Sequence, residues 1–177
     1  MTAWLELLTF AGDGSDPRRT SGHWRALTAL EPAAGALWSA PTAACRAVLD
    51  PLAHALNLPV GEHPALGNGL RTPTSDGGDA WVDAAWRAGA ALTFVDVVLT
   101  RTPGGRIVCC GHPLVVPALV ALLAARDGLV VGDVGCPPGA RLTLTFEEGR
   151  CTGIARVEDG SGRGARRPRD RPVREEL

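Results

Sequence analysis

The sequence lacks several features that mark specialised classes of protein. Its 177 residues include no lysine and no tyrosine, so the 18 basic side chains are all arginines, against 19 acidic ones. A net charge of −1 gives no overall attraction to nucleic acid or to an anionic membrane. With so much alanine, glycine and proline, the missing lysine is typical of a GC-rich genome and carries no functional meaning.

Long apolar runs are also missing. The apolar window Leu114 to Ala125 is shorter than the about 18 residues that a membrane helix needs. The start of the chain, Met1 to Glu6, has neither the basic region nor the apolar core of a signal peptide. The sequence therefore predicts a cytoplasmic protein without a membrane segment.

Cysteine and histidine do not form metal-ligand patterns. The cysteines are five, an odd number, and none belongs to a C-x-x-C pair: Cys45, Cys109, Cys110, Cys136 and Cys151. The four histidines are scattered along the chain. We therefore expect buried free thiols in a reducing compartment, no metal site and no cofactor.

One stretch, Arg106 to Pro117, is central to the predicted fold. Ile107 to Cys110 is a short apolar run with β-branched residues, typical of a strand that is buried on both faces. Gly111-His112-Pro113 breaks the strand, and an apolar helix follows from about Leu114 to Arg126. Open α/β sheets bind ligands at the carboxyl ends of their strands, so His112 is expected to face a crevice there.

The remaining sequence alternates between strand and helix patterns, which predicts an α/β fold. The pattern indicates a mostly parallel sheet with helices, and a C-terminal antiparallel hairpin at its edge. The predicted strands are Trp4–Phe10, Leu37–Ser39, Leu58–Val60, Val130–Val134 and the hairpin strands Arg141–Phe146 and Arg150–Val157. The predicted helices are Ala26–Leu37, Ala43–Leu56 and Asp79–Leu99, the last with Trp81 on its buried face.

The composition changes abruptly at the end of the chain. Residues 1–157 are expected to form one domain, and residues 158–177 a disordered tail that contains six arginines. This tail is the only candidate for contact with RNA or an acidic partner, and a solvated tail without a specific partner is the simpler interpretation.

The order of these segments resembles the histidine phosphatase (phosphoglycerate mutase-like) superfamily, in its short form without a cap insertion. The similarity covers about Met1 to Val157. The segments that carry it are Leu5–Ala11, Arg25–Thr28, Ser39–Ala53, Asn57–Val60 and Ile107–His112. The resemblance implies a three-layer α/β/α sandwich around a mostly parallel sheet, which agrees with the alternation of strand and helix patterns.

The resemblance also implies a chemistry, namely phosphoryl transfer through a phosphohistidine. An Arg-His pair ends the first strand of such proteins, and its imidazole attacks phosphorus. A second arginine and a second histidine hold the phosphoryl oxygens, and a carboxylate protonates the leaving group. His112 matches the second histidine.

At the other family positions this sequence carries different residues. Thr9-Phe10 stands where the Arg-His pair belongs, Ala44 replaces the second arginine, and Asn68 lies near the place of the acid. A phenyl ring has no lone pair that could accept a phosphoryl group. Each charge-assisted hydrogen bond contributes about 1.5–3 kcal/mol, so losing two arginines and an imidazole removes about 5–9 kcal/mol of phosphate binding.

These departures predict a pseudophosphatase, a ligand-binding or regulatory module that uses the old crevice. Its binding residues would be Thr9, Phe10, His23, Ala44, Asn68 and His112, and its partner a small molecule or a protein. Two alternatives stay open. One is a different enzyme with His112 as general base beside Asp76 or Asp79. The other is a phosphomonoester hydrolase whose nucleophile is His23 or His63. The competing interpretation of His112 is a purely structural one, in which its imidazole holds the turn.

Overall fold

A six-stranded sheet forms the centre of the molecule. The computed structural model describes residues 1–9, 27–28, 30, 33–70, 80–132, 134–136 and 140–158. Within these residues the sheet has the order β3-β2-β4-β1-β5-β6. Its strands are β1 (Thr2–Thr9), β2 (Ala34–Ser39), β3 (Val60–Glu62), β4 (Arg106–Gly111), β5 (Ala140–Glu147) and β6 (Arg150–Glu158). The helices are α1 (Ala43–Leu56), α2 (Ala80–Arg101) and α3 (Val116–Asp127), with a 3-10 turn at Pro64–Leu66.

Strand direction divides the sheet into two parts. β3, β2, β4 and β1 are parallel, whereas β5 pairs antiparallel with β1 and β6 antiparallel with β5. Every residue of β4 is buried, as its apolar run predicts. Glu148 and Gly149 turn the hairpin with φ of 51° and 80°, a conformation that favours glycine. The predicted α/β fold with a C-terminal antiparallel hairpin at the sheet edge is confirmed.

The helices cover opposite faces of the sheet. Successive strand residues point to opposite faces, so Cys109 and Cys110 of β4 face different helices. On the Cys109 side, Trp38 of β2 meets Phe94 of α2 edge to face, with ring centroids 5.2 Å apart. On the Cys110 side lies α1, whose Cys45 thiol hydrogen-bonds to Cys110. All five cysteines are free and buried, as predicted.

Helix α1 matches its predicted bounds and is capped at both ends. The Thr42 hydroxyl accepts a hydrogen bond from the Cys45 amide at 3.2 Å. Asn57 closes the helix in the left-handed conformation, with φ of 52°. The sequence Ser39–Thr42 thus ends β2 and starts α1 in a short connection, which places the first turn of α1 at the carboxyl edge of the sheet.

Two of the predictions on secondary structure were wrong, at least in part. The helix over Ala26–Leu37 is helical only at Leu27 and Thr28 among its described residues, and Ala34–Ser39 forms β2 instead. Pairing with β4 outweighs the local alanine-rich pattern, because β2 is buried between β4 and β3. In the predicted strand Val130–Val134, the described residues are not part of the sheet.

The buried face of α2 also differs from its prediction. Trp81 is 71% exposed, and the buried residues are Ala88, Ala91, Phe94, Val95, Val98 and Leu99. The face is set by Phe94, which packs against β2, and this contact rotates the first turn of the helix toward solvent. A long apolar helix offers several faces with similar periodicity, so its own sequence does not select one.

A charged cluster lies inside the sheet on the Cys110 side. Glu6 of β1 is fully buried and forms an ion pair with Arg106 of β4. Its second carboxylate oxygen accepts a hydrogen bond from Thr143 at 2.7 Å and lies 3.6 Å from Arg141 Nε. The Arg106 guanidinium also lies over the Trp4 ring, 5.2 Å from the centroid. The cluster explains how an acidic residue fits in an otherwise apolar central strand.

None of the helices in the described ranges is both long and apolar enough to cross a membrane. The predicted tail lies outside the described residues except for Glu158, which ends β6. The division into a domain and a tail therefore stays a prediction.

Candidate functional site

The candidate site lies at the carboxyl ends of β1 and β4. Thr9, the last residue of β1, is paired in register with Gly111, the last residue of β4. His112 follows directly. We call the space beside Thr9 and His112 at this edge of the sheet the crevice. It is the place where parallel α/β sheets bind ligands.

Several hydrogen bonds hold His112 in place, and two of them define its position in the site. Its backbone amide donates to the Leu66 carbonyl at 2.8 Å, which ties the end of β4 to the 3-10 turn. Its Nδ1 accepts a hydrogen bond from the Leu114 amide at 3.2 Å. Because the lone pair of Nδ1 is engaged, the neutral ring carries its hydrogen on Nε2.

The environment of His112 favours this neutral form. Burial lowers the pKa of His112 below its ordinary value of 6.5, and the positive charge of Arg87 lowers this pKa further. At neutral pH the imidazole is therefore uncharged.

Arg87 reaches this edge of the sheet from α2. Helix α2 is joined to β4 by the tight turn 102–105, in which the Gly105 amide donates to the Thr102 carbonyl at 3.2 Å. The helix therefore runs back along β4, and its first half lies toward the carboxyl ends of the strands. Arg87 is seven residues, about two turns and 10 Å, before the inward-facing Phe94. It is thus on the same face of the helix, at the level of His112.

The Arg87 side chain is only 21% exposed, and it has few partners among the described residues. Asp83, one turn earlier, lies 3.6 Å from its Nη2, which is a loose ion pair. Its Nε is buried and has no hydrogen-bond partner in the described part of the chain. A half-buried guanidinium with spare donor capacity is suited to bind an anion.

The other predicted site residues lie around the same edge, with different surroundings. Thr9 is buried, and its hydroxyl donates to the Cys136 carbonyl at 2.7 Å. Ala44 lies exposed in the first turn of α1, whose preceding Ala40 amide donates to the Cys110 carbonyl at 2.9 Å. Asn68 is exposed, two residues after Leu66. Phe10 and His23 lie outside the described residues, as do Asp76 and Asp79.

Two further polar residues that could serve a phosphatase are engaged elsewhere. Arg46, two residues after Ala44, is exposed and forms an ion pair with Glu62 of β3 at 2.6 Å. The His63 ring stacks on Phe94 at 4.3 Å, and its Nδ1 accepts a hydrogen bond from the Ala65 amide at 3.3 Å. Burial lowers the pKa of His63. His63 therefore has a structural role in the 3-10 turn.

The thiol nearest to His112 in sequence is not a nucleophile. The hydrogen bond to Cys45 and burial both raise the pKa of Cys110 well above its ordinary value. The described part of the chain contains no group of three His, Cys, Asp or Glu side chains that could hold a metal ion.

The matches to known proteins are found at the level of structure and not of sequence. No protein-family model and no curated protein matches the sequence. Solved structures do match. A structure named mycobacterial hydrolase 1 has a TM-score of 0.66 at 14% identity, covering 92% of this chain and 100% of that one. A mycobacterial glucosyl-3-phosphoglycerate phosphatase matches with a TM-score of 0.62 at 12% identity over 91% of this chain and 100% of its own.

A third match is the phosphoserine phosphatase of Entamoeba histolytica, solved with 3-phosphoglyceric acid. Its TM-score is 0.60 at 11% identity, covering 86% of this chain and 96% of the enzyme. The chain has the histidine phosphatase fold. At such identities the match concerns the fold alone, so the histidine phosphatase resemblance is confirmed for the architecture, and the chemistry of the crevice depends on this chain's own residues.

The sequence pattern correctly placed His112 directly after the buried strand β4, and its role in a site stays a prediction. Arg87 was not among the predicted site residues. One signal was available: Arg87 interrupts the apolar face of a helix at a spacing that places it with Ala91 and Phe94. A charged residue on an apolar face is a reason to look for a nearby anion. The sequence does not show, however, that this face points toward His112.

Proposed function

We propose that this protein is a pseudophosphatase, a binding or regulatory module that keeps a histidine phosphatase crevice without its reaction. The observation that carries the proposal is the pairing of Thr9 with Gly111 beside His112. Thr9 stands where the phosphate-binding arginine of such enzymes would be. Its hydroxyl is already donated to the Cys136 carbonyl at 2.7 Å.

The sequence around this pair supports the loss of phosphoryl transfer. The residue after Thr9 is a phenylalanine, which has no nucleophilic atom. Ala44 offers a methyl group where a second guanidinium would bind the phosphoryl oxygens, and Arg46 pairs with Glu62. The transition state of phosphoryl transfer spreads negative charge over its oxygens, and the crevice would lack two of the groups that balance this charge.

The state of His112 favours binding over general-base catalysis. A general base needs an open lone pair on the imidazole. Nδ1 accepts from the Leu114 amide, and Nε2 carries the hydrogen of the neutral ring. The ring of His112 therefore has no open lone pair, which argues against the alternative of a different enzyme built on this residue.

A phosphatase with a substitute nucleophile is the remaining alternative. Of its two candidate histidines, His63 is stacked on Phe94 and accepts a hydrogen bond through Nδ1, an arrangement that serves the 3-10 turn. His23 lies outside the described residues and keeps this alternative open to experiment.

A phosphatase assay tests the proposal. Full-length protein at high concentration is incubated with phenyl phosphate, and released inorganic phosphate is measured for the wild type, His112→Ala and His23→Ala. We expect the same background rate in all three. A wild-type rate that both substitutions abolish would overturn the proposal and identify His23 as the nucleophile. A rate abolished by His112→Ala alone would overturn it in favour of an enzyme based on His112.

A further inference from the structure

We propose that a second binding site, for a small organic cation with an apolar body, lies at the edge of the sheet opposite the crevice. The site is a cavity of about 430 Å³ between the second half of α2, the turn before β4 and the tip of the β5–β6 hairpin. The inference is independent of the proposed function, because neither Thr9 nor His112 lines this cavity.

The direction of the strands and helices places the cavity. β1 and β4 both begin at this edge, and Thr2 pairs with Glu147 just before the hairpin turn. Helix α2 ends here at Arg101, and α3 ends at Asp127, whose carboxylate accepts a hydrogen bond from the Cys151 amide at 2.8 Å. The cavity thus lies at the amino ends of the parallel strands. Its volume falls within the range of about 300–1,000 Å³ that is usual for small-molecule sites.

Apolar side chains form one part of the lining. Leu99 of α2, Ala3 of β1 and Phe146 of β5 are buried and line the cavity. Met1 is 87% exposed and lies against the turn before β4, since a Cβ on Gly104 would be 3.5 Å from Met1 Cε. These side chains suit a ligand with an aromatic or aliphatic body, and the exposed Met1 lies where such a ligand would enter.

The one basic side chain of the lining already has its acceptors. Arg126 donates to the two carboxylate oxygens of Asp127 at 3.0 and 2.8 Å and to Asp96 at 2.8 Å. It also donates to the Gly149 carbonyl at 3.4 Å. The hydrogen bonds to Asp127 raise the pKa of Arg126 above its ordinary value. All three guanidinium nitrogens are therefore engaged, and the cavity is poorly suited to an anion.

The other polar side chains of the lining are acceptors. Asp96 on α2 and Glu148 in the hairpin turn are exposed carboxylates. The Thr100 hydroxyl donates to the Asp96 backbone carbonyl at 2.8 Å, which leaves its oxygen lone pairs to accept from a ligand. The lining side chains thus carry two negative charges against one positive charge, and Asp127 shares that positive charge. A cation that donates hydrogen bonds is the complementary ligand.

Two further observations favour an organic cation held in part by Glu148. The described residues contain no group of three His, Cys, Asp or Glu side chains that could hold a metal ion. Glu148 has a φ of 51°, in the left-handed region, where a two-residue hairpin turn usually has asparagine or aspartate. A glutamate there has a backbone cost, and it brings a longer carboxylate to the cavity.

Titration followed by amide NMR tests the inference, because it reports both affinity and place. Benzylamine, protonated at neutral pH, is the cationic probe, benzyl alcohol its neutral counterpart and benzoate the anion. We expect benzylamine to shift the amide signals of Gly104 and Gly149 and to leave that of His112 unchanged. Its affinity should be about five- to tenfold higher than that of either other probe, as expected for exposed charge pairs.

Glu148→Asn removes one carboxylate, and asparagine suits the conformation of the turn. It should weaken benzylamine binding about three- to fivefold and leave benzyl alcohol binding unchanged. Glu147→Gln is the matched control, because it removes the same charge one residue earlier, at an exposed position that does not line the cavity. It should bind benzylamine like the wild type. Thr100→Trp, at an exposed position of α2 that lines the cavity, should abolish binding of the probe by filling the space.

Three results would overturn the inference. The first is benzyl alcohol or benzoate binding as tightly as benzylamine. The second is the absence of benzylamine-induced shifts at Gly104 and Gly149. The third is equal benzylamine affinity in Glu148→Asn and Glu147→Gln. None of them touches the proposed function, which fails only if phosphate is released.

Discussion

The His112 amide donates a hydrogen bond to the Leu66 carbonyl at 2.8 Å, and this bond joins the end of β4 to the 3-10 turn. Gly111 makes the close approach possible. A Cβ at position 111 would lie 2.9 Å from Val116 Cγ2 and 3.5 Å from the Leu66 oxygen. The two elements that frame the crevice thus meet at a position where a side chain does not fit without displacement.

Replacement of Gly111 is therefore expected to destabilise the protein. Gly111→Ala should lower the free energy of unfolding by about 1–3 kcal/mol, because the buried Val116 has to move. Urea denaturation measures the change. Gly132→Ala is the control, because a Cβ there has no neighbour within 4 Å, and it should change stability by less than about 0.5 kcal/mol. Similar stability of both variants would contradict the packing argument.

The titration of His112 should report the charge of Arg87. We expect NMR to give a pKa of His112 below 6.5, and Arg87→Gln to raise this pKa toward 6.5 while leaving it depressed by burial. Between the folded pKa and 6.5 the unfolded state holds more protons, so stability should rise with pH through this interval. Stability should therefore decrease as the pH is lowered from 6.5 toward the folded pKa. His112→Asn should flatten this dependence of stability on pH. An unchanged His112 pKa in Arg87→Gln would show that the two groups are far apart.

The buried ion cluster should be sensitive to loss of its single carboxylate. Glu6→Gln leaves Arg106 and Arg141 without a nearby counter-charge inside the sheet, and we expect a loss of about 3–5 kcal/mol in the free energy of unfolding. Denaturant melts of Glu147→Gln, at an exposed position of β5, provide the control, with an expected change below about 0.5 kcal/mol. Equal effects of the two substitutions would show that Glu6 is solvated.

We expect Thr9 to stabilise the fold and not to bind a ligand. Thr9→Val removes the hydroxyl that donates to the Cys136 carbonyl and leaves a buried acceptor, which should cost about 1–3 kcal/mol. Thr152→Val, at an exposed position of β6, should cost less than about 0.5 kcal/mol in the same melts.

The tail should be dispensable for the fold. A chain ending at Glu158 keeps every described strand and helix, so its free energy of unfolding should match that of the full-length protein within about 0.5 kcal/mol. Pull-down with both forms shows whether the arginines after Glu158 recruit a partner, which we do not expect. A large loss of stability on truncation would mean that the tail packs on the domain.

The sequence by itself determined the local pieces of this protein. The apolar run Ile107–Cys110, the break at Gly111-His112-Pro113 and the helical spacing of Ala43–Leu56 depend on neighbouring residues, so periodicity and turn residues were sufficient to predict them. The order of these pieces also indicated the histidine phosphatase fold. The resemblance assigned Thr9-Phe10, Ala44 and Asn68 to the positions of the family chemistry, and their interpretation as replacements stays a prediction.

Only the tertiary structure decided which distant residues meet. β2 extends back to Ala34 because β4 supplies its hydrogen-bond partners, and α2 turns Trp81 outward because Phe94 packs on Trp38. Arg87 comes to the level of His112, 25 positions later in the chain, because α2 reverses direction before β4. Periodicity fixes which residues of a helix share a face. The direction of that face depends on packing energies summed over the whole core, and these are not encoded in any single segment.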